Sequence, residues 1–453
     1  MLRFFFSAML LTLTASAFGQ ELPTQQPVGA EPLAEAPMIA PLVEQPLTEQ
    51  SLMELPSARQ PFVLPPVAPS AFSPSSLGQA PLAQTSLTQT VLAPLPFEAF
   101  DHAFRQQLDA AAIPGGAYAI VRDGKIIQAA GHGTRTLGYN EPISPTTVFR
   151  LASVSKTFAA ELTALLVREG KLKWDDPVNR FVPDFQFKTP RYSQALQVQH
   201  LLGQSTGLIA NAFDNLLNAN QPLNRILPRF RELDPICQPG QCYSYQNIMF
   251  GLIAPVVEQA AHASYSNLIQ QRLFQPLQMQ QASVGMQAFL RANNRALPHI
   301  KRRGNWVATE VQPGYYEVLP AAGINASVTD LGKWLIAQMG NNPEVVPTQV
   351  IDQLTEKRVR TLRDMRRKKW RELITDAHYG LGWRIYQLEK KEELFMHSGW
   401  VEGYVTEIAY SKVRRTGLVV LLNAESAVIN DITTGFWAAL LNEPPAMRTV
   451  VSE

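Results

Sequence analysis

The chain has very little cysteine. Its two cysteines, Cys237 and Cys242, are separated by four residues in a polar loop. In an exported protein, such an even pair predicts one disulfide that closes a small loop. A zinc site is not expected, because none of the seven histidines falls at ligand spacing near these thiols.

An excess of charge of either sign is also missing. The chain carries 40 basic and 38 acidic residues, a net charge of +2, and shows no groove-binding motif. Nucleic acid is therefore not expected as a partner. One local exception is residues 357–371, KRVRTLRDMRRKKWR. We interpret it as a solvated helix face, with contact to an anionic envelope polymer as the alternative.

Long apolar runs are absent except at the N-terminus. An arginine, a short apolar run over residues 4–13 and the small residues 15–17 follow one another there. This order is typical of a secretory signal peptide, predicted over residues 1–19. The run is short for a membrane span, so an uncleaved anchor is only the alternative and no transmembrane segment is expected after signal removal. We expect a periplasmic or secreted bacterial protein.

Basic residues are scarce in the next stretch as well. Residues 21–96 hold 15 of the 34 prolines and a single basic residue, Arg59. Such a composition cannot sustain helices or strand ladders, so residues 20–95 are predicted to form a Pro-rich disordered tether. The folded domain is expected over residues 96–445, followed by a short tail over 446–453.

The patterns that are present predict an α+β fold, an α/β sandwich. Residues 97–113 have helical periodicity, and Asp123-Gly124 between two apolar runs predicts a hairpin. Further strand-like runs and a last helical pattern lie near the C-terminus, at residues 382–387, 404–410, 417–422 and 431–441. We therefore expect one antiparallel β-sheet completed by both chain ends and flanked by helices, with an inserted all-helical subdomain and a cleft between the parts.

Ser153 and Lys156 are the leading candidates for chemistry. They lie three residues apart at the start of a helical pattern, so both side chains share one helix edge. A serine hydroxyl needs a neighbour to take its proton, and a lysine in a dry cleft shifts toward its neutral, basic form. Because the tetrad S-x-x-K also occurs by chance, an exposed Ser and Lys on an amphipathic helix is the alternative.

Ser205 is a rival nucleophile, because residues 203–207 match the G-x-S-x-G elbow. An elbow needs a buried strand before it and a helix directly after it. Here residues 199–202 are typical of a helix end and 208–211 of a loop. A structural turn is the expected role of Ser205.

Two further motifs follow in the chain. Tyr245 and Asn247 precede an apolar helix, where a phenol could relay a proton and an amide could hold a substrate carbonyl or Lys156. Residues 397–399 read His-Ser-Gly in a strand-like segment, where a glycine lets a substrate backbone approach closely. Each motif is weak alone, but the three in this order are strong.

With these motifs, the chain resembles the serine β-lactamase and penicillin-binding-protein superfamily, most of all the class C β-lactamase branch with its esterase and D-aminopeptidase relatives. The resemblance runs from about Phe97 to the C-terminal helix. The matching stretches are RLASVSKTF (150–158), GKLKWDDPVNRFVPDF (170–185), HLLGQSTGL (200–208), YSYQN (243–247), LFQPLQM (273–279), HYGLGW (378–383) and HSGWVEGY (397–404).

The resemblance implies roles for single residues. Ser153 would be the acylated nucleophile, Lys156 its proton acceptor or electrostatic activator, and Tyr245 the general base. Asn247 would position the substrate. The substrate strand would be His397, Ser398, Gly399 and Trp400, and the backbone N–H groups of Ser153 and Trp400 would form the oxyanion hole.

One departure concerns His397. The class C enzymes usually carry lysine there, whereas histidine is more typical of the esterase and peptidase relatives. We expect His397 to face a substrate carboxylate. Because an imidazole loses its charge near neutral pH, we expect it to pair with that carboxylate in its protonated form and to lose this interaction as pH rises.

The expected function is hydrolysis of amide or ester carbonyls through an acyl-enzyme, without metal or organic cofactor. The substrate would be a small molecule or peptide, such as a cell-wall peptide, a small ester or a β-lactam. Peptidoglycan is a further candidate for a binding partner. A catalytically inactive envelope-binding module of the same fold is the alternative.

Overall fold

The computed structural model describes residues 96–389 and 392–442. The predicted signal peptide, tether and C-terminal tail lie outside these residues. Within the described ranges, no helix combines the length and the apolar character needed to cross a membrane.

An antiparallel sheet of eight strands, in the order β2-β1-β13-β12-β11-β10-β9-β8, forms the centre of the fold. Its first two strands come from the start of the domain and its last six from the end, which confirms the predicted sheet built by both chain ends. The strands of the chain are β1 (Gly115–Arg122), β2 (Lys125–Gly133), β3 (Phe149–Arg150), β4 (Ser283–Val284), β5 (His299–Arg302), β6 (Asn305–Ala308), β7 (Ile324–Ala326), β8 (Val359–Arg360), β9 (Ile374–Tyr379), β10 (Arg384–Leu388), β11 (Glu393–Val401), β12 (Tyr404–Ser411) and β13 (Thr416–Leu422).

The predicted hairpin joins β1 to β2 through Asp123 and Gly124. Both residues have positive φ, +49° and +76°, which is the backbone geometry that a tight two-residue hairpin turn requires. Asparagine, aspartate and glycine tolerate this conformation best, so the local sequence accounts for the turn.

Helices flank the sheet and fill most of the region between β2 and β8. That region also contains a three-stranded sheet, β3-β7-β4, and the hairpin β5-β6, so the insert is mostly but not wholly helical. The helices are α1 (Pro96–Ala110), α2 (Ser155–Arg168), α3 (Pro190–Ala195), α4 (Val198–Leu202), α5 (Asp214–Asn218), α6 (Leu223–Ile226), α7 (Asn247–Gly251), α8 (Ile253–Ala261), α9 (Tyr265–Ile269), α10 (Met286–Arg291), α11 (Leu319–Ala322), α12 (Val328–Ile336), α13 (Thr348–Leu354) and α14 (Val428–Leu441).

Two apolar cores lie on opposite faces of the sheet. One face packs against α1 and α14, where Phe100 meets Phe436 edge to face at 5.3 Å between ring centroids. The other face packs against the helical region, including α2 and α12. The central strands are therefore buried on both faces, and successive residues of β12 such as Ile408 and Ala409 enter different cores.

Helix α2 is more deeply buried than its sequence predicts. The periodicity around Phe158 predicts one inward face, yet every residue from Ser155 to Leu166 is buried. The helix passes between the sheet and the helical region, and Phe158 stacks on Trp334 at 4.1 Å between ring centroids. A helix enclosed on all sides must bury its polar residues too, Lys156 among them.

The basic segment over residues 357–371 differs from its prediction. It forms strand β8 and two short 3-10 turns, Asp364–Arg366 and Trp370–Glu372, rather than a solvated helix. Trp370 is fully buried and packs edge to face on Tyr386 at 5.3 Å between ring centroids. This anchor holds the segment against the sheet, next to β9, which the sequence pattern did not predict.

Candidate active site

Ser153 lies in a 3-10 turn, Ala152–Val154, directly before α2. The turn is held by a hydrogen bond from the Thr406 hydroxyl of β12 to the Leu151 carbonyl, 2.8 Å. Ala152 has a φ of +49°, which an alanine rarely adopts. The surrounding contacts thus hold Ser153 in a strained turn that also lines a cleft of about 1460 Å³.

Lys156 is fully buried below Ser153. Its Nζ lies 3.1 Å from Ser153 Oγ, 2.7 Å from Asn247 Oδ1 and 3.0 Å from the Ala321 carbonyl oxygen. Burial lowers the pKa of this amine well below its usual value, and the carboxylate of Asp214 partly opposes that effect. A neutral amine has two N–H donors and one lone pair. In that form, the amide and the carbonyl would accept the two donors, which would leave the lone pair for the Ser153 hydroxyl.

Asn247 links Lys156 to a carboxylate that sequence reasoning missed. While its oxygen accepts from Lys156, its Nδ2 donates to Asp214 Oδ2 at 2.7 Å. Asp214 begins α5 after Phe213, which has a φ of +62°. Burial raises the pKa of Asp214, and the Asn247 hydrogen bond and Lys156 lower it. Sequence motifs describe residues that are close along the chain. Asp214 could not be found in this way, because its partner Asn247 lies 33 residues away.

Tyr245 lies close to two basic side chains, Lys156 and Arg384. Lys156 Nζ is 4.8 Å from the centroid of its ring, and the guanidinium carbon of Arg384 is 5.5 Å from it. Burial raises the pKa of the phenol above its usual value, although Arg384 and a hydrogen bond with Ser153 oppose the rise. The ring is therefore a neutral phenol at neutral pH, within reach of the Ser153 hydroxyl.

Arg384, also missed by sequence reasoning, begins β10. Its guanidinium donates to Asp364 and lies over the rings of Tyr245 and Tyr379, 5.5 and 5.6 Å from their centroids. Burial lowers the pKa of Arg384, but Asp364 and the surrounding tyrosines together outweigh burial and keep it well above the usual value. The site therefore contains a permanent positive charge that none of the three motifs includes.

His397 does not face the cleft, contrary to expectation. Its side chain is fully buried and is absent from the cleft lining. Nδ1 lies 2.9 Å from the Ser398 carbonyl, which can only accept, so Nδ1 carries the proton and Nε2 accepts from the Tyr379 hydroxyl at 3.0 Å. Burial, together with Arg384 and Lys156, lowers the pKa of His397 well below its usual value. It is a neutral residue that fixes Tyr379 and not a cation for a carboxylate.

Ser398, Gly399 and Trp400 do line the cleft, beside Ser153. Strand β10 begins at Arg384, paired with Met396, so residues 397–401 of β11 extend beyond it along the cleft. Gly399 was expected to admit a substrate backbone. In the structure, the backbone of Leu151 occupies that space, because a Cβ at position 399 would lie 2.2 Å from the Leu151 carbonyl oxygen. This glycine lets β11 reach the turn that carries Ser153.

Trp400 stands at the mouth of the cleft with 51% of its surface exposed. Its indole Nε1 donates to Glu425 Oε2 at 2.7 Å, and the other oxygen of Glu425 accepts from Gly403 N at 2.9 Å. Glu425 therefore clamps the β11-β12 turn and orients the indole.

The rival Ser205 is buried outside the cleft lining. Its loop supports the Tyr245 segment: Ser244 N donates to the Gln204 carbonyl at 2.7 Å, and Gly240 N donates to the Ser205 carbonyl at 2.7 Å. Cys237 and Cys242 form a disulfide in the same neighbourhood, and Cys242 lines the cleft. Ser205 thus occupies a structural turn beneath the loop that carries Tyr245.

A family model described as Beta-lactamase matches residues 100–436, which is most of the chain and all of the site described above. The chain belongs to the beta-lactamase family. The family has a serine hydrolase fold, and the described residues of this member have that fold.

Individual relatives of this beta-lactamase family member are distant. Protein flp of Staphylococcus aureus (strain MW2) is 24% identical over 347 residues, 76% of this chain and 66% of that protein. A fungal relative, unguisins hydrolase ungD' of Aspergillus campestris, is 24% identical over 326 residues, 68% of this chain and 58% of its own length. The chain therefore spans slightly less than two thirds of the length of the staphylococcal relative.

A solved structure shows the same fold. The octameric penicillin-binding protein homologue from Pyrococcus abyssi superposes with a TM-score of 0.69 at 24% identity, covering 78% of each chain. This likeness agrees with the predicted superfamily and supports the fold alone.

Proposed function

We propose that this beta-lactamase family member is an exported serine hydrolase that cleaves amide or ester carbonyls through an acyl-enzyme on Ser153. The observation that supports this most is the hydrogen-bonding geometry of Lys156. Lys156 Nζ is fully buried and lies within hydrogen-bond distance of the cleft-lining Ser153 hydroxyl, the Asn247 amide oxygen and the Ala321 carbonyl, which places it to take the proton of Ser153. A purely structural lysine would instead be expected to pair directly with a carboxylate.

In the proposed first step, Ser153 Oγ attacks the carbonyl carbon while its proton passes to Lys156 Nζ. The oxyanion accepts from the backbone N–H groups of Ser153 and Trp400. The bond to the leaving group then breaks. The proton held by Lys156 reaches that group through the Tyr245 hydroxyl, and an ester is left on Ser153. Water attacks this ester as the same groups take its proton, which releases the acid and restores Ser153.

This assignment changes the role of Tyr245. The resemblance implies that Tyr245 is the general base, which requires a phenolate. Since burial keeps the phenol protonated, we assign the basic role to Lys156 and a proton-relay role to Tyr245. Asn247 holds Lys156 in place, and Arg384 supplies the positive potential that favours negative charge developing near Tyr245.

For the substrate, we place small esters and peptides above β-lactams. His397 is neutral and buried, so it adds no positive charge for the carboxylate of a β-lactam. The name of the fungal relative, a hydrolase, agrees with hydrolytic chemistry. The signal-like N-terminus supports a periplasmic or secreted location, with a cell-wall peptide as one candidate substrate. Fractionation of expressing cells and N-terminal sequencing of the exported protein test the location.

Acylation tests the chemistry. The wild-type protein, Ser153→Ala and Ser205→Ala are each exposed to a fluorophosphonate and to a p-nitrophenyl ester, then analysed by intact-protein mass spectrometry. We expect adducts and ester hydrolysis in the wild-type and Ser205→Ala proteins, and neither in Ser153→Ala. An adduct on Ser205 in the Ser153→Ala protein, or turnover that survives Ser153→Ala, would refute the proposal.

A further inference from the structure

The basic segment over residues 357–371 forms one wall of the cleft that contains Ser153. Five of its cationic residues line that cleft: Arg360, Arg363, Arg367, Lys368 and Lys369. A solvated charge run has no reason to face a catalytic cleft. Trp370 is buried, and the five cationic residues lie in the lining of the cleft to which Ser153 also belongs.

Three of these cations already have acidic partners. Arg360 pairs with Asp376 at 2.8 Å, Arg367 with Glu407 at 3.6 Å and Lys369 with Asp431 at 3.0 Å. Arg384, the sixth cation of the cleft lining, pairs with Asp364. These pairs balance most of the charge of the wall.

Arg363 and Lys368 are different. Within residues 96–389 and 392–442, neither side chain makes an ion pair or hydrogen bond, and both are exposed. Arg363 is close enough to Tyr243, which also lines the cleft, for its charge to affect the pKa of that phenol. Burial raises the pKa of the Tyr243 phenol to about 12, and Arg384 and Arg363 oppose that rise. The cleft thus has two uncompensated positive charges on the side of this segment.

Apolar surface lies in the lining of the same cleft. Leu362 is 59% exposed and Trp400 is 51% exposed, although both are large apolar side chains. Exposed apolar groups in the same cleft lining as unpaired cations fit a ligand that has an apolar portion and an anionic end.

We propose, building on the hydrolytic function proposed above, that Arg363 and Lys368 form an anion-binding subsite and that the preferred substrate carries a carboxylate beyond the scissile carbonyl. An apolar spacer packs on Leu362 and Trp400, and the carboxylate meets the two cations. The subsite selects the substrate and takes no part in bond breaking.

The test compares two p-nitrophenyl esters, the neutral butyrate and the mono-glutarate, which differ in a terminal carboxylate. The readout is the ratio of kcat/KM for glutarate to that for butyrate. In wild type this ratio is expected above 1 and to fall as salt is added, because exposed charges are screened. In Arg363→Gln/Lys368→Gln it should fall roughly three- to tenfold, the scale of two exposed charge contacts.

The matched control is Arg366→Gln/Arg371→Gln. It removes two exposed cations from the same segment that do not line the cleft. We expect this variant to keep the wild-type ratio. Equal ratios in the two double variants, or a wild-type ratio that is independent of salt, would overturn the subsite.

Binding separates the subsite from the hydrolytic proposal. Calorimetry with glutarate monoester on the Ser153→Ala protein measures affinity without turnover. If neither ester is hydrolysed but Arg363→Gln/Lys368→Gln weakens binding in this background, the hydrolytic proposal fails and the anion subsite stands. If both esters are hydrolysed while glutarate binds no better than butyrate, the subsite fails and the hydrolytic proposal stands.

Discussion

Lys156 and Arg384 are two basic side chains close to Tyr245 whose pKa values shift in opposite directions. They lie 4.8 and 5.5 Å from the centroid of its ring, and burial disfavours the charged form of both. Lys156 nevertheless has a pKa well below its usual value, whereas that of Arg384 is well above. The two side chains differ in how each one meets its nearby carboxylate. Arg384 contacts the carboxylate of Asp364 directly, while the amide of Asn247 separates Lys156 from Asp214.

This difference fits a separate role for each basic side chain in the proposed reaction. An amide spacer between amine and carboxylate withholds the full charge pair, so the amine is free to accept a proton. A direct carboxylate contact keeps the guanidinium charged whether the site is empty or full. The proposed function therefore requires a base, Lys156, and a permanent positive charge, Arg384, in one short region.

The largest effect is expected from Lys156→Met, which replaces the amine with an apolar side chain of similar length. Loss of the base should lower kcat for p-nitrophenyl butyrate by roughly 10²- to 10⁴-fold. Stopped-flow and steady-state assays measure it. Lys171→Met, which removes a surface lysine paired with Glu169, is the control and should keep wild-type kcat. A Lys156→Met enzyme within a few-fold of wild type would show that Lys156 is not the base.

The next effect is on stability. Asp364→Asn leaves the Arg384 guanidinium without its carboxylate, in a pair whose side chains are only 13% and 7% exposed. Breaking a buried pair from one side should cost about 3 kcal/mol of unfolding free energy, measured by urea denaturation. Asp431→Asn breaks the surface pair with Lys369 and should change little. Equal losses in the two variants would mean that the Arg384 pair is no more important to stability than a surface pair.

A third buried group, Glu161 of α2, extends the comparison. Within the part of the chain that the structure describes, it has no basic partner, and its side chain accepts a hydrogen bond from the Gln338 amide at 3.1 Å. Burial raises its pKa from the usual 4.5 to about 8. The folded state thus holds a proton that the unfolded state releases, so stability should fall as pH rises from about 4.5 to 8. Glu161→Gln should flatten this part of the profile, whereas identical slopes would contradict the assignment.

The finest test concerns Asp214, which raises the pKa of Lys156 through its charge. In Asp214→Asn that influence is gone, so Lys156 becomes neutral at a lower pH. Since the neutral amine is the active form, the rising limb of kcat/KM against pH should move to lower pH. Asn215→Ala, at a neighbouring residue of the cleft lining, is the control and should leave the limb in place. A shift to higher pH in Asp214→Asn would show that the carboxylate does not act on Lys156.

Much of the site was predictable because its parts are local in the chain. Ser153 and Lys156 come together through helical spacing, and Tyr245 and Asn247 through a two-residue step at the start of α7. The Asp123-Gly124 hairpin follows from residues that tolerate positive φ. In each case the contact spans a few residues, so backbone geometry alone nearly decides it.

The charges of the site were not predictable in that way. Asp214 reaches Asn247 across 33 residues, and Asn247 reaches Lys156 across 91. Asp364 meets Arg384 only because the basic segment folds back along β9 and β10. His397 stands in the expected motif, yet packing buries it and removes its charge.

By itself, then, the sequence determined the family, the sheet built from both chain ends, and which residue types meet at Ser153. The tertiary structure alone decided their protonation states, the burial of His397 and the placing of residues 357–371 along the cleft. The physical reason is that spacing along a helix or turn is a short-range property. A pKa depends instead on desolvation and on charges brought in by distant segments, and these exist only once the chain has packed.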